Sequence, residues 1–283
     1  MAHNILLIGG HGKVSQILTP LLLARSWNVT SLIRSPDQTN TIEKLGDGQP
    51  GKLSVLVSSL EEVKSESDAK KILDQVQPDW VVWSAGAGGR GGPSRTFAID
   101  RDAAIAFTRA SISTPNITKF MTVSYNSSRR HKPSWWSESE WDIAQKANYK
   151  ALPTYYEAKV AADEVLTVLA QRRYEEDVKK GVEAAKRFCG ISLRPGTLTD
   201  GKAGKVTLGK IRAKGQVPRA SVAEVAVKLL EADGARGWFD LLDGEEDVLD
   251  AVERCVKQGI NCVDGEDIEE MKKRVLEWGP IAS

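Results

Sequence analysis

The first 23 residues constrain the fold of this chain more than any other segment. Residues 5–8, Ile-Leu-Leu-Ile, form a short apolar run that predicts a strand buried on both faces. A glycine turn at residues 9–12 follows directly, and the apolar pattern of residues 14–23 predicts an amphipathic helix. Strand, glycine turn and helix in this order are typical of the first half of a βαβ unit that binds a nucleotide.

The glycine turn has the spacing Gly-x-x-Gly-x-x-Ser. Gly9 permits the tight turn, Gly12 lets the backbone approach a pyrophosphate, and the helix start directs N–H groups toward that anion. Ser15 stands where a third glycine is usual, and it is small enough for the helix to pack closely on the strand. Glycine also serves ordinary turns, so the prediction depends on the apolar strand that precedes it. The predicted cofactor-binding residues of this segment are Gly9, Gly10, His11, Gly12, Lys13 and Val14.

The second predicted strand, residues 27–33, ends at Arg34 and Ser35. In a nucleotide-binding unit this position faces the ribose of the adenosine, where an acidic residue would bind the 2′-hydroxyl of NAD. Arg34 offers a guanidinium to a 2′-phosphate instead, and Ser35 offers a further donor. We therefore expect NADP(H) as the cofactor, the alternative being that Arg34 is an ordinary solvated surface arginine.

Three further strands are predicted at residues 53–57, 79–84 and 119–124. The first of these precedes Ser58-Ser59-Leu60, which we expect near the adenine. The second ends in small residues, and small residues at the carboxyl end of a strand leave room for a ligand, although a plain flexible loop is the alternative. The cofactor-binding residues predicted there are Ser84, Ala85 and Gly86, at the start of a loop that continues to Gly89.

Tyr155 and Lys159 lie four residues apart in a strongly helical stretch, so both side chains emerge on one face of a helix. A lysine cation beside a phenol should lower the phenol's pKa from about 10. Tyr155 would then be a general acid that protonates a carbonyl oxygen as hydride arrives. Ser124, at the end of the neighbouring strand, could hold the same oxygen.

These segments resemble an atypical short-chain dehydrogenase/reductase of the NAD(P)-binding, NmrA-like group. The resemblance implies a doubly wound parallel sheet with a small C-terminal substrate portion. It implies a catalytic triad of Ser124, Tyr155 and Lys159, with Lys159 also reaching the cofactor, and it brings Pro195, Thr197 and Leu198 near the nicotinamide. Ser127 or Ser128 remains an alternative for the working hydroxyl. The matching residues are 8–15, 123–124, 155–166, 191–200, 204–206 and 218–223.

The rest of the chain is assigned to the substrate side of one domain, residues 1–283, of the α/β class. The substrate-side segments are residues 125–153 and 197–283. Trp135, Trp136 and Trp141 of the first segment would line an aromatic pocket or pin the segment down. Residues 171–187 are charged and are expected to form a separate solvated surface helix, and a helix is also expected at residues 61–75.

The charge balance gives no electrostatic reason to expect nucleic acid or membrane partners. Lys and Arg number 39 against 38 Asp and Glu, a net charge of +1. The four-residue apolar run before the glycine turn is too short for a secretory signal, and no stretch is long enough to span a membrane. Three scattered cysteines and three histidines predict no disulfide framework and no metal site, which fits a reducing, cytoplasmic compartment.

The sequence thus favours an NADPH-dependent oxidoreductase that reduces a small or medium carbonyl compound or oxidises the corresponding alcohol. One alternative is a redox sensor that binds NADP(H) without turnover, and it would not need the Tyr155–Lys159 pair. Another is an epimerase or isomerase on the same fold, which Arg34 disfavours because tightly held NAD would prefer an acidic residue there. The partner is a small-molecule substrate of unknown identity, and the oligomeric state is not predicted.

Overall fold

The computed structural model describes residues 2–88 and 91–279, in which a mixed eight-stranded sheet is the central element. Seven strands are parallel, in the order β3-β2-β1-β4-β5-β6-β10, and β8 is added antiparallel at the β10 edge. Strands β7 and β9 form a separate parallel pair. The strands are β1 (Asn4–Ile8), β2 (Asn28–Ile33), β3 (Leu53–Val57), β4 (Trp80–Trp83), β5 (Lys119–Val123), β6 (Cys189–Pro195), β7 (Thr197–Thr199), β8 (Val206–Leu208), β9 (Gln216–Pro218) and β10 (Gly237–Asp243).

Helices cover both faces of the sheet, so the predicted doubly wound α/β fold is confirmed. The helices are α1 (Lys13–Leu23), α2 (Thr39–Glu43), α3 (Glu66–Val76), α4 (Gly92–Thr96), α5 (Ala104–Ser113), α6 (Glu138–Lys146), α7 (Pro153–Lys179), α8 (Arg219–Glu231), α9 (Val248–Lys257) and α10 (Ile268–Leu276). Residues of β1 alternate between the two cores: Leu6 and Ile8 pack toward α3, α5, α7 and α10, whereas Ile5 and Leu7 pack toward α1, α8 and α9.

Two helix predictions need correction. Residues 61–75 do not form one helix, because Ser65 caps a new helix by accepting the N–H of Asp68 at 3.2 Å, and α3 begins only at Glu66. Residues 171–187 do not form a separate helix either. Their first part continues α7 to Lys179, a helix of 27 residues.

The first predicted substrate-side segment, residues 125–153, follows the carboxyl end of β5, and the second contains β8 and β10 at one edge of the sheet. Trp135 and Trp136 pin the first segment, since both indole N–H groups donate to the carbonyl of Ile211, at 2.9 and 2.7 Å. The second segment is described to Gly279, and Gly89 of the predicted loop lies outside the described residues. In the described ranges, no helix is long and apolar enough to cross a membrane.

Candidate functional site

The glycine turn lies between the end of β1 and the start of α1. Gly9 has a φ of +84°, a conformation that glycine tolerates, and a Cβ there would lie 2.6 Å from the Cα of Ala85. Gly10 packs against β2, where a Cβ would lie 1.7 Å from Ser31 Oγ. Both positions therefore require glycine for the fold itself. Gly10 serves packing on β2 and does not line the cavity described below.

Gly12 has a different reason to be glycine. It is the N-cap of α1 with an ordinary φ of −65°, and it is exposed. A Cβ there would enter a small cradle formed by the carbonyls of Gly9, at 3.2 Å, and Ser84, at 3.7 Å, and by Ser15 Oγ, at 3.7 Å. The first turn of α1 carries no acidic residue, and the first N–H groups of a helix have no partner within it. These free N–H groups at the start of α1 suit an anion, and the missing side chain at Gly12 leaves room for it to approach them.

A cavity of about 220 Å³ opens beside the glycine turn, across the carboxyl ends of β1, β2 and β4. It brings together seven of the predicted cofactor residues: Gly9, His11, Gly12, Arg34, Ser84, Ala85 and Gly86. Ser58, Ser59 and Leu60, which are expected near the adenine, also line this cavity. Lys13, Val14 and Ser35 lie outside its walls, as do Lys159, Pro195, Thr197 and Leu198.

The rim of this cavity at the end of β2 is polar. Arg34 is exposed there, while the hydroxyl of Ser35 donates to Asp37. That hydrogen bond is the main reason why the pKa of Asp37 lies below its usual value, and the charges of Arg34 and His11 lower it further. Ser35 is therefore already engaged, which leaves Arg34 as the group available to an incoming phosphate.

One buried polar atom of the cavity has no partner among the described residues, and sequence reasoning missed it. The side-chain oxygen Oε1 of Gln38 is buried without a hydrogen bond, and Gln38 lines the cavity. A buried acceptor without a partner is costly, so it favours a ligand that can donate a hydrogen bond. Opposite it, Arg95 Nε donates to Glu61 Oε1 at 2.9 Å, and both residues line the same cavity. The donors and acceptors present thus fit a nucleotide cofactor.

Tyr155 lies in the first turn of α7 with its ring half-buried and its centroid 5.3 Å from that of Tyr125. The expectation that its pKa is lowered is wrong. Burial raises the pKa of Tyr155 well above 10, and the negative charges of Asp100 and Asp163 raise it further. The phenol is thus held in its protonated form, and the same shift makes it a weaker acid than a free phenol.

Lys159 is one turn along α7 from Tyr155, and its side chain is directed at the end of β5. It is 2% exposed, and its Nζ donates to the carbonyl of Val123 at 3.0 Å. The positive charge of Lys159 also acts on the carboxyl of Asp100. The structure therefore places the ammonium next to the backbone of β5, one residue before Ser124.

Ser124 follows β5 as predicted, but its hydroxyl is engaged. It donates to Asp163 Oδ2 at 2.5 Å, and Ser128 Oγ donates to the same oxygen at 2.7 Å. Ser127, the other alternative, is directed at Asn126 Oδ1 at 3.3 Å. A hydroxyl has one proton, so Ser124 can accept a hydrogen bond from a ligand but must release Asp163 before it donates one.

Asp100 is a site residue that the sequence did not reveal. It lies in a π-helical segment, Phe97–Ala103, between α4 and α5, and it is 1% exposed. Its Oδ2 accepts the N–H of Ala87 at 2.9 Å, which ties the loop after β4 to the helix. Burial raises the pKa of Asp100, although Lys159 opposes that rise. Irregular π-helical turns are frequent at functional sites, and this one carries a carboxyl beside Tyr155 and Lys159.

A buried chain of alternating charges supports α7 behind the site, and it too was missed. Asp163 Oδ2 accepts a hydrogen bond from Arg194 Nη1 at 3.1 Å, and Arg194 Nε donates one to Asp240 Oδ1 at 2.8 Å. Asp240 Oδ2 in turn accepts a hydrogen bond from Arg129 Nη2 at 2.9 Å. All four side chains are at most 1% exposed, so each charge depends on its neighbours. The chain fixes Asp163, and through it Ser124.

The end of β6 closes the carboxyl edge on the other side. Pro195 is buried at the end of β6, and Thr197 and Leu198 belong to β7 directly after it. Lys13 is directed toward this segment, since its Nζ donates to Asp200 Oδ2 at 2.8 Å. The predicted nicotinamide-side residues thus lie on the same edge of the sheet as the glycine turn, but outside its cavity. Among residues 2–88 and 91–279, no cluster of three or more histidine, cysteine or acidic side chains could hold a metal ion.

Two known proteins match most of this chain in sequence. The Schizosaccharomyces pombe protein named UPF0659 protein C216.03 is 30% identical over 256 residues, which is 89% of this chain and 94% of that protein. The Bacillus subtilis protein named as an uncharacterized sugar epimerase, YhfK, is 26% identical over 254 residues, which is 89% of this chain and 99% of that protein.

A solved structure shows the shared fold directly. A Bacillus halodurans protein, provisionally identified as an NAD-dependent epimerase/dehydratase, superposes with a TM-score of 0.67 at 22% identity, over 89% of this chain and 100% of that chain. The family described as NAD(P)H-binding matches residues 9–233, from the glycine turn through α8. The chain belongs to this NAD(P)H-binding family.

Proposed function

We propose that this member of the NAD(P)H-binding family is an NADPH-dependent oxidoreductase that reduces a small or medium carbonyl compound. The observation that carries the proposal is a phenol that is held in its protonated form, Tyr155, with Lys159 one turn further along the same helix. A proton donor at this edge is what carbonyl reduction needs once hydride is supplied. A protein that only binds the cofactor would not need it.

The cofactor would be held by the cavity at the carboxyl ends of β1, β2 and β4. Gly12 and the start of α1 would take the pyrophosphate, and the side chain of Gln38 would meet the adenosine. NADPH bound there would supply hydride to the carbonyl carbon of the substrate. Arg34, exposed at the rim and free of the hydrogen bond that engages Ser35, would bind the 2′-phosphate and so favour NADPH over NADH.

Tyr155 would donate its hydroxyl proton to the carbonyl oxygen, which becomes the alcohol oxygen of the product. The phenolate left behind is costly in a buried setting near the carboxyls of Asp100 and Asp163, so it would be short-lived and reprotonated from solvent. Lys159 would offset the negative charge of the Asp100 carboxylate, on which its own positive charge acts. Ser124 would position the substrate, with Ser127 and Ser128 as the alternatives for that role.

One comparison favours a second function, an epimerase reaction on a sugar derivative. The Bacillus subtilis relative is named as a sugar epimerase, and the match covers 99% of its length. Such a reaction uses NAD and regenerates it within the site, so it consumes no free cofactor. Arg34 and the raised pKa of Tyr155 disfavour it, because an oxidation must begin with removal of a proton.

The experiment is a titration with NADPH and NADH, followed by a screen of carbonyl compounds monitored by the absorbance of the reduced nicotinamide. We expect tighter binding of NADPH and its oxidation by at least one aldehyde or ketone class. Sugar-nucleotide turnover without loss of NADPH absorbance would favour the epimerase. Binding without turnover across the screen, in both directions, would favour a sensor.

A further inference from the structure

A second cavity lies away from the proposed cofactor site. It has a volume of about 590 Å³ and opens between α7, the first halves of β6 and β10, and α10. The cofactor cavity lies at the carboxyl ends of β1, β2 and β4, so the two share no lining residue. Its volume is typical of small-molecule sites in proteins.

The floor of this second cavity is apolar. Leu166, Phe188 and Trp238 are each at most 2% exposed, and they form the inner wall. At the mouth, Ile268 in the first turn of α10 leaves 37% of its surface exposed. An apolar chain or ring that bound here would bury the side chain of Ile268, and the removal of both apolar surfaces from water would stabilise the complex.

The rim is cationic. Arg172, Arg236 and Lys272 line the cavity, against a single lining carboxylate, Glu175, which accepts Gln171 Nε2 at 2.7 Å. Arg236 forms no ion pair with any described carboxylate, and its guanidinium lies 4.1 Å from the centroid of the Tyr174 ring.

The other two cations already form ion pairs within their own helices. Arg172 pairs with Glu176 at 2.9 Å, and Lys272 pairs with Glu269 at 2.8 Å. Arg236 therefore remains the rim cation best able to take a new anion.

We propose that this cavity is a binding site for an amphipathic carboxylate, such as a medium-chain fatty acid. The hydrocarbon would occupy the apolar floor, and the carboxylate would lie at the rim between Arg236 and Lys272. This inference does not depend on the proposed reductase function, because it uses none of the residues of the cofactor site.

The test is a calorimetric titration of the full chain with decanoate, in saturating NADPH so that the cofactor cavity is filled. Decyltrimethylammonium, which has the same tail and the opposite charge, is the ligand control. We expect saturable binding of one decanoate per chain, at least about tenfold tighter than binding of the cation. No saturable binding, or equal binding of both probes, would overturn the proposal.

Variants locate the site. Arg236→Ala and Lys272→Ala remove exposed cations, so both should fold, and each should weaken decanoate about twofold to fivefold, the usual effect of an exposed charge pair. Lys273→Ala is a matched control, because Lys273 is the next residue of α10 and forms an equivalent pair with Glu270 at 2.6 Å but does not line the cavity. An equal effect of Lys273→Ala, or no effect of the other two, would contradict the assignment.

Discussion

Replacing Gly12 by valine should abolish cofactor binding while the fold survives. The backbone at Gly12 has φ −65° and ψ 147°, which valine adopts without strain, and the residue is exposed. The new Cβ would lie 3.2 Å from the carbonyl of Gly9, a tight contact that a small shift relieves. With the poorer N-cap included, we expect a loss of about 1–2 kcal/mol in the free energy of unfolding.

The effect on binding should be larger, because the methyl groups would occupy the space through which a pyrophosphate approaches the free N–H groups at the start of α1. Losing two charge-assisted hydrogen bonds to the pyrophosphate costs about 3–6 kcal/mol, or at least about 100-fold in affinity. Urea unfolding and calorimetric titration with NADPH separate the two effects. Gly204→Val, at an exposed glycine with open space around it, is the matched control and should change neither. A folded Gly12→Val variant with wild-type affinity for NADPH would refute the assignment of this turn.

Three further predictions concern specificity, the serine and pH. Arg34→Glu should weaken NADPH binding by about 1.5–3 kcal/mol and leave NADH binding unchanged or improved; equal wild-type affinity for the two cofactors would contradict the phosphate role. Ser124→Ala should lower turnover with NADPH affinity kept, whereas Ser128→Ala should not, and the reverse result would move the role to Ser128. Because burial raises the pKa of Asp100, its contribution to stability is present below its unfolded value of about 3.9 and is lost as pH rises through the raised value. The variant Asp100→Asn cannot titrate and so escapes that loss. Its free energy of unfolding in urea, relative to wild type, should therefore increase from acid to neutral pH. A difference that does not change with pH would contradict a buried Asp100 that titrates.

The elements that carry the cofactor cavity were predictable from the sequence because their signals are local. The run of residues 5–8 and the glycines after it encode a strand and a turn within a dozen residues, and β1 contains all four predicted residues and begins one residue earlier. The small residues after β4 lie where the end of a parallel strand must bring them. The position of Ser58 and Ser59 beside this cavity follows from chain order alone, because both residues come directly after β3 and β3 pairs with β2.

The properties of Tyr155, Lys159 and Ser124, the proposed catalytic residues, depend on contacts that are distant in sequence. The spacing of Tyr155 and Lys159 was visible, but the sign of the pKa shift at Tyr155 depends on its burial and on Asp100, 55 residues away along the chain. Asp100 itself reads as one polar residue in an amphipathic helix. The engagement of Ser124 by Asp163 follows from the packing of α7 on β6, which no local pattern encodes.

The antiparallel edge strand β8 was not predicted for the same reason. It has three residues, Val206–Leu208, and it exists only through its pairing with β10. The length of α7 was also missed, because the charged residues after position 171 are equally typical of a helix extension and of a separate surface helix.

The most direct measurement of the central claim compares NADPH oxidation by wild type, Tyr155→Phe and Tyr156→Phe on the same carbonyl substrate. Tyr156 is the adjacent residue of α7 and a matched control, because its hydroxyl donates to the carbonyl of Arg129 at 3.3 Å and is not directed at the site. Tyr155→Phe should keep NADPH affinity and lose about 10²–10⁴ in turnover, the typical contribution of a general acid, while Tyr156→Phe keeps most of its turnover. Equal turnover by wild type and Tyr155→Phe would contradict the account.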